Sequence, residues 1–154
     1  MGTRSLTIMY DTPYRGTRGR EIAVMYRQMD GYPTGHGQEL KDFLAPFVIV
    51  NGYNTRDGSI ANGGACLAAQ IVAHFKDGVG DIYLHPAGTR SMDEEWVYEV
   101  RPHLAKDWNS GTITLVVREA VYDPAADKMD YIVRYSGPVG DFDPKAIEEA
   151  LNGR

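Results

Sequence analysis

The sequence predicts an α+β domain spanning residues 1–154, built on a mainly antiparallel sheet of about six strands. Two helices are expected on one sheet face and a short helix at the C-terminus, in the order ββααββββα. Three observations lead there. Period-two alternation opens the chain, two helix-type stretches follow together, and four strand-type stretches come next as a group. Strands grouped with strands and helices with helices, rather than strict alternation, argue for α+β and against a parallel doubly wound sheet. No linker long enough to divide the chain is visible.

Residues 3–10, TRSLTIMY, set Leu6, Ile8 and Tyr10 against Ser5, Thr7 and Met9. Residues 21–29, EIAVMYRQM, set Ile22, Val24 and Tyr26 against Ala23, Met25 and Arg27. Both read as strands. The intervening DTPYRGTRGR, with Pro13, Gly16 and Gly19, suits a long hairpin connection. Leu40, Phe43, Leu44 and Phe47 then fall on one helical stripe, which Pro46 should end. The glycine- and asparagine-rich stretch 51–64 reads as a long loop. ACLAAQIVAHFK is helical, with Leu67, Ile71, His74 and Phe75 as its apolar stripe.

The strand-type segments after it are 81–85, 95–101, 112–122 and 130–136, and DPAADK is the expected hairpin turn between the last two. In the closing DPKAIEEALNGR, Asp143 is placed as N-cap, Pro144 as first helical residue and Gly153 as C-cap. The tripeptide GTR at 2–4, 16–18 and 88–90 sits in unrelated surroundings and marks no repeat.

A net charge of −5 and a pI near 5.3 leave no global basic field for duplex nucleic acid. The single cysteine, Cys66, cannot form an intramolecular disulfide, which favours a reducing compartment. The opening apolar stretch is too short and too polar for a signal peptide, Leu6 breaks a myristoylation pattern, and no run of 18 apolar residues occurs. A cytoplasmic protein without membrane association is the expectation.

Two glycine-opened helix starts are the candidate site. In RQMDGYPTGHGQEL (27–40), DGYP is turn chemistry, and the glycines of GHG precede a helix whose first N–H groups suit an anion. Arg27 could supply counter-charge, while Asp30 capping a turn and His36 as a solvated loop residue is the bland reading. NGGACLAAQ (62–70) repeats the pattern with Asn62 as a candidate N-cap, without the GK[ST] of a P-loop. Were the two starts to lie side by side, Arg27, Asp30, His36, Asn62, Gly63 and Arg90 would be the ligand-binding residues, with Asp30 and His36 the only catalytic candidates.

Cys66 reads as a buried inert thiol and His74 as a core histidine. His36, His74, His85 and His103 show no metal-ligand spacing, so no metal or cofactor is expected. Late in the chain Trp96, Tyr98, Tyr122, Tyr131 and Tyr135 interleave with Arg101, Arg118 and Arg134. Base stacking would use such a surface, but core aromatics with solvent-facing arginines explain it more simply.

The TRS strand, the DGYPTGHGQEL segment, NGGACLAAQIVAHFK and IYLHPAG together resemble a group of small uncharacterised proteins from bacteriophages and bacteria. In that group a TRS strand precedes a DGYPxGxG turn and a helix, and the resemblance covers roughly residues 1–100. It implies a host-takeover or counter-defence setting and carries no activity to particular residues. The leading expectation is thus a small binding protein that sequesters or senses an anionic small ligand of nucleotide type, or binds a host protein. A hydrolase acting on a phosphorylated or glycosylated substrate through Asp30 and His36, and a structural or protein-interaction module, are the alternatives. A homo-oligomer is expected in each case, since edge strands and aromatics need cover.

Overall fold

The computed structural model describes residues 2–13, 18–52 and 58–153. The middles of the DTPYRGTRGR connection and of the 51–64 stretch therefore lie outside the described residues. Strands β1 (Ser5–Tyr10), β2 (Glu21–Arg27), β5 (Ile82–Pro86), β6 (Trp96–His103), β7 (Thr112–Asp123) and β8 (Lys128–Pro138) form one sheet in the order β5-β2-β1-β6-β7-β8. All neighbours are antiparallel except β1 and β6, which run parallel with Ser5 opposite Trp96. A parallel pair needs a long crossover. Here the crossover carries β2, the helices α1 (Gln38–Leu44) and α2 (Gly63–Phe75), and β5. Helix α3 (Pro144–Asn152) closes the chain. The α+β class and the expected succession of main elements hold.

Alternation along the strands divides the sheet into two faces. Met9, Met25, Tyr98, Val100, Leu115 and Val117 pack with Leu40 and Leu44 of α1 and with Leu67 and Ile71 of α2 in the main core. Ile147 and Leu151 of α3 join its margin. Each such aliphatic side chain stabilises by about 1.5–3 kcal/mol when fully buried. The opposite face holds a second cluster, Leu6, Ile8, Val24 and Val97, with Met92, Tyr10, Tyr26 and Tyr131 packed around it and no helical residue among them.

Helix α3 is framed as its sequence requires: Asp143 Oδ1 accepts from the Ala146 N–H at 3.1 Å, Pro144 follows, and Gly153 caps the end. Between β7 and β8, Asp123 Oδ1 accepts from the Ala125 N–H at 3.0 Å and holds the expected turn.

Several local expectations are corrected. Val48–Val50 (β3) and Ile60–Asn62 (β4) pair in parallel as a small second sheet, although the 51–64 stretch reads as loop. The GHG segment is no loop either: Pro33–Gly37 is one π-helical turn that runs directly into α1. His74 is exposed and stacks on Phe43 with ring centroids 3.9 Å apart, because the buried stripe of α2 passes from Leu67 and Ile71 to Phe75. Cys66 is partly exposed, and its Sγ donates to Gln70 Oε1 at 3.5 Å.

Candidate functional site

The residues around the first glycine-opened start build an internal polar knot. Arg27 ends β2, and its partner across the hairpin is Ser5. The Arg27 Nε donates to the Met29 carbonyl at 2.7 Å, and NH1 lies 2.9 Å from His36 Nδ1 and also donates to Glu39. His36 Nε2 lies 2.8 Å from Thr7 Oγ1 on β1. The imidazole meets the rings of Phe75 and Tyr98 edge to face and is wholly buried. Tyr98 in turn donates its hydroxyl to the Gly31 carbonyl at 2.7 Å.

Burial first, and the Arg27 charge second, push the His36 pKa down to about 3, so the ring is neutral. A guanidinium can only donate, so Nδ1 accepts from Arg27, and Nε2 carries the proton and donates to Thr7. His36 is thus not a solvated loop residue.

Asp30 occupies the turn with φ 58, exposed, and contributes its carbonyl to the His36 N–H at 2.8 Å. A Cβ on Gly35 would come within 2.4 Å of that same carbonyl, so close chain approach accounts for this glycine. With His36 enclosed and Asp30 at the surface, the two present no common face to a substrate. Arg27 is likewise committed to internal partners.

The second glycine-opened start lies elsewhere. Gly31 donates its N–H to the Thr3 carbonyl and packs on Ser5, at the beginning of β1. Gly64 packs on Tyr10 and Asp11 at the end of the same strand. Six residues of strand separate them, roughly 20 Å. Asn62 does not cap α2; its Oδ1 accepts from the Gly52 N–H at 2.8 Å. Gly63, at φ 74, serves the entry into the helix. The two starts do not form one pocket.

Arg90 stands apart from the other sequence candidates and leads to a different site. On the helix-free face a cavity of about 280 Å³ is lined by Ile8, Arg90, Val97, Glu99, Arg118 and Tyr131. Strand β6 turns Glu99 and Arg101 to this face because they alternate with Tyr98 and Val100. Glu99 is nearly buried and accepts from Arg118 Nε at 2.7 Å, Arg101 NH2 at 2.7 Å and the Tyr10 hydroxyl at 3.2 Å. Burial pushes its carboxyl up, but the Arg118 and Arg101 guanidiniums together outweigh that and hold it below the ordinary range.

The Arg101 guanidinium lies over the Tyr10 ring, 3.8 Å from the centroid, an arrangement that favours the cation. Arg90 reaches in from the β5–β6 connection and pairs with Glu21 at 2.7 Å. On the far wall Tyr131 donates to Glu94 at 2.7 Å. Burial first, then that carboxylate, raises the Tyr131 pKa to about 12, so the phenol stays neutral.

This face therefore gathers Arg90, Arg101 and Arg118 against Glu21, Glu94 and Glu99, balanced in formal charge, beside an apolar floor of Ile8 and Val97. Glu99, Arg118 and Tyr131 were not among the site residues expected from sequence. The readable signal was the two-residue spacing of Glu99 and Arg101, opposite in phase to the buried Tyr98. The interleaved aromatics and arginines divide in the same way. Trp96, Tyr98 and Tyr135 belong to the main core, while Tyr131, Arg101 and Arg118 share the open face.

Among the described residues no group of three or more His, Cys, Asp or Glu side chains is placed to hold a metal ion. No helix there is long and apolar enough to cross a membrane. Comparison of the chain with protein families, with curated proteins and with solved structures finds no match in any of the three.

Proposed function

We propose that the protein is a binding protein that holds an anionic small ligand of nucleotide type in the cavity on the helix-free sheet face. One observation carries this reading: Arg90 and Arg118, from separate elements, line the same cavity above an apolar floor. Aromatic and apolar walls with a few fixed polar groups are the usual make-up of a small-molecule site. The resemblance of roughly residues 1–100 to small proteins of bacteriophages and bacteria points, by association only, to a host-takeover or counter-defence setting, in which sequestering or sensing a nucleotide signal would be the work done. The enclosure of His36 favours binding over hydrolysis by an Asp30–His36 pair.

Calorimetry and thermal-shift measurements with nucleotides and cyclic dinucleotides test the reading. Binding by the wild-type chain, lost in Arg90→Ala and Arg118→Ala, is expected. Failure of every anion to bind or stabilise the protein defeats it.

A second reading, association through the sheet edge, is favoured by exposed Tyr122, Met129, Ile132 and Val133 near the tip of the β7–β8 hairpin. An edge strand with apolar side chains invites a further strand from another chain, a second copy or a host protein. Light scattering behind size exclusion checks the homo-oligomer version. A dimer that Ile132→Lys converts to monomer supports it, and a monomeric wild-type protein removes it.

A further inference from the structure

The bonding of Arg118 narrows what the cavity takes, provided that the reading of the cavity as an anion site holds. The Arg118 Nε is consumed by Glu99, whereas its NH1 and NH2 make no hydrogen bond among the described residues. These two nitrogens form the end-on edge of the fork, the edge that grips two oxygens of one anion at once. Glu99 fixes that edge in direction, since Arg101 holds the second carboxylate oxygen at 2.7 Å and Arg118 the first.

Arg90 adds a second guanidinium to the lining, itself held by Glu21 through NH2 at 2.7 Å and NH1 at 3.2 Å. A phosphate monoester has three terminal oxygens in three directions, so two can face the end-on edge of Arg118 while the third meets Arg90; a carboxylate gripped by that same edge has no third oxygen to offer. Below them Ile8 and Val97 offer an apolar floor and Tyr131 an aromatic wall. A bare ion leaves that floor and wall uncovered, whereas a flat apolar body covers both.

We propose that the ligand is a phosphate monoester on a flat, largely apolar body, gripped end-on by Arg118, and that Glu99 is the positioning residue for that grip. The phosphate meets NH1 and NH2 of Arg118 and the Nε side of Arg90, whose NH1 is taken by Glu21 and the Thr89 carbonyl. The body lies on Ile8 and Val97 beside Tyr131. A lysine in place of Arg118 keeps the charge but has no planar fork, so charge alone does not reproduce the site. With Glu99→Gln, one carboxylate oxygen becomes an amide donor facing a guanidinium, and the Arg118 edge loses its direction.

The test is calorimetry on the full chain with adenosine monophosphate, phenyl phosphate, adenosine, benzoate and inorganic phosphate. Adenosine monophosphate and phenyl phosphate are expected to bind at least tenfold more tightly than adenosine, benzoate or inorganic phosphate. Arg118→Lys should lower the ratio of adenosine monophosphate to adenosine affinity at least tenfold, and Glu99→Gln should lower it as well. A variant that is merely less stable leaves that ratio unchanged, so the ratio separates positioning from folding. Should Glu99→Gln fail to fold, Arg118→Lys decides alone.

An unchanged ratio in Arg118→Lys overturns the end-on grip, even where Arg90→Ala still abolishes binding and the anion site itself stands. Benzoate binding as tightly as phenyl phosphate overturns the ligand class. Binding of no anion at all removes the anion site and this inference with it.

Discussion

His36 Nδ1 and Arg27 NH1 lie 2.9 Å apart inside the protein, a neutral imidazole accepting from a guanidinium. A second proton on His36 would set an N–H against that guanidinium, with Thr7 already taken up on the other side. The ring is a fixed acceptor that ties β1, β2 and the π-helical turn together.

Stability therefore depends on pH in a definite direction. The folded-state pKa of His36, about 3, lies below its ordinary 6.5, so between those values the unfolded chain binds the extra proton. The contribution is complete above about pH 6.5 and is lost as pH falls. Between pH 7 and pH 5 the loss should approach about 2 kcal/mol, at about 1.4 kcal/mol per pKa unit. His103, whose pKa burial and Arg101 also lower, adds in the same sense. The depressed carboxyls of Glu21 and Glu99 act only in more acid solution. Urea unfolding at the two pH values should show this dependence in the wild-type protein and most of it gone in His36→Gln. Equal dependence in both would remove the buried neutral imidazole.

Arg27 cannot be replaced by another cation. Its Nε serves the Met29 carbonyl and its NH1 serves His36 and Glu39, and one lysine amine cannot reach these partners together. His36 Nδ1 would be left buried without a donor. Arg27→Lys should cost about 2 kcal/mol in chemical denaturation. Glu39→Gln, at a side chain half exposed, should cost less than about 1 kcal/mol. A reversed order of the two would show that the ion pair, and not the imidazole contact, is what matters here.

The sheet was legible in the sequence because period two is a local property, visible in SLTIMY and in WVYEVR alike. The pairing of β1 with β6 joins residues about ninety apart and leaves no local trace. For the same reason the two glycine-opened starts could not be assigned to opposite ends of β1. The strands β3 and β4, three residues each, are too short to show a period. GHG suggested solvent because glycines are common in loops, yet here they allow close packing around a buried ring. The arginine cavity was half visible: Arg90 was identified on its own, but Glu99, Arg118 and Tyr131 join it only once β6, β7 and β8 are in register.

Ser5 offers a test of polar burial without charge. Its side chain is fully buried on the helix-covered side of β1, and its Oγ has no hydrogen-bond partner among the described residues. An unpaired hydroxyl in that position costs about 1–3 kcal/mol of desolvation. Ser5→Ala removes one atom and opens little space, so it should leave stability unchanged or raise it by about 1 kcal/mol. A loss above about 1 kcal/mol in thermal or urea unfolding would mean that the hydroxyl is bonded in solution.

The glycine pair of NGGACLAAQ has a structural cause that a single substitution exposes. A Cβ on Gly64 would stand 2.5 Å from Asp11 Cα and 2.5 Å from the Tyr10 carbonyl oxygen, both backbone atoms at the end of β1. Neither can move without shifting the strand that centres the sheet, so α2 would have to lift from Met9 and Met25. Alanine is otherwise the better helix former by about 1 kcal/mol, which on an open helix would raise stability. Here the clash should win, and Gly64→Ala should cost about 2 kcal/mol or more, as overpacking against backbone does. Gly63→Ala, at a positive φ with only Thr12 Oγ1 3.6 Å away, should cost about 1–2 kcal/mol through strain alone. Chemical denaturation of the two variants should rank Gly64 above Gly63, and equal stability of Gly64→Ala and wild type would mean that α2 does not sit this close to β1.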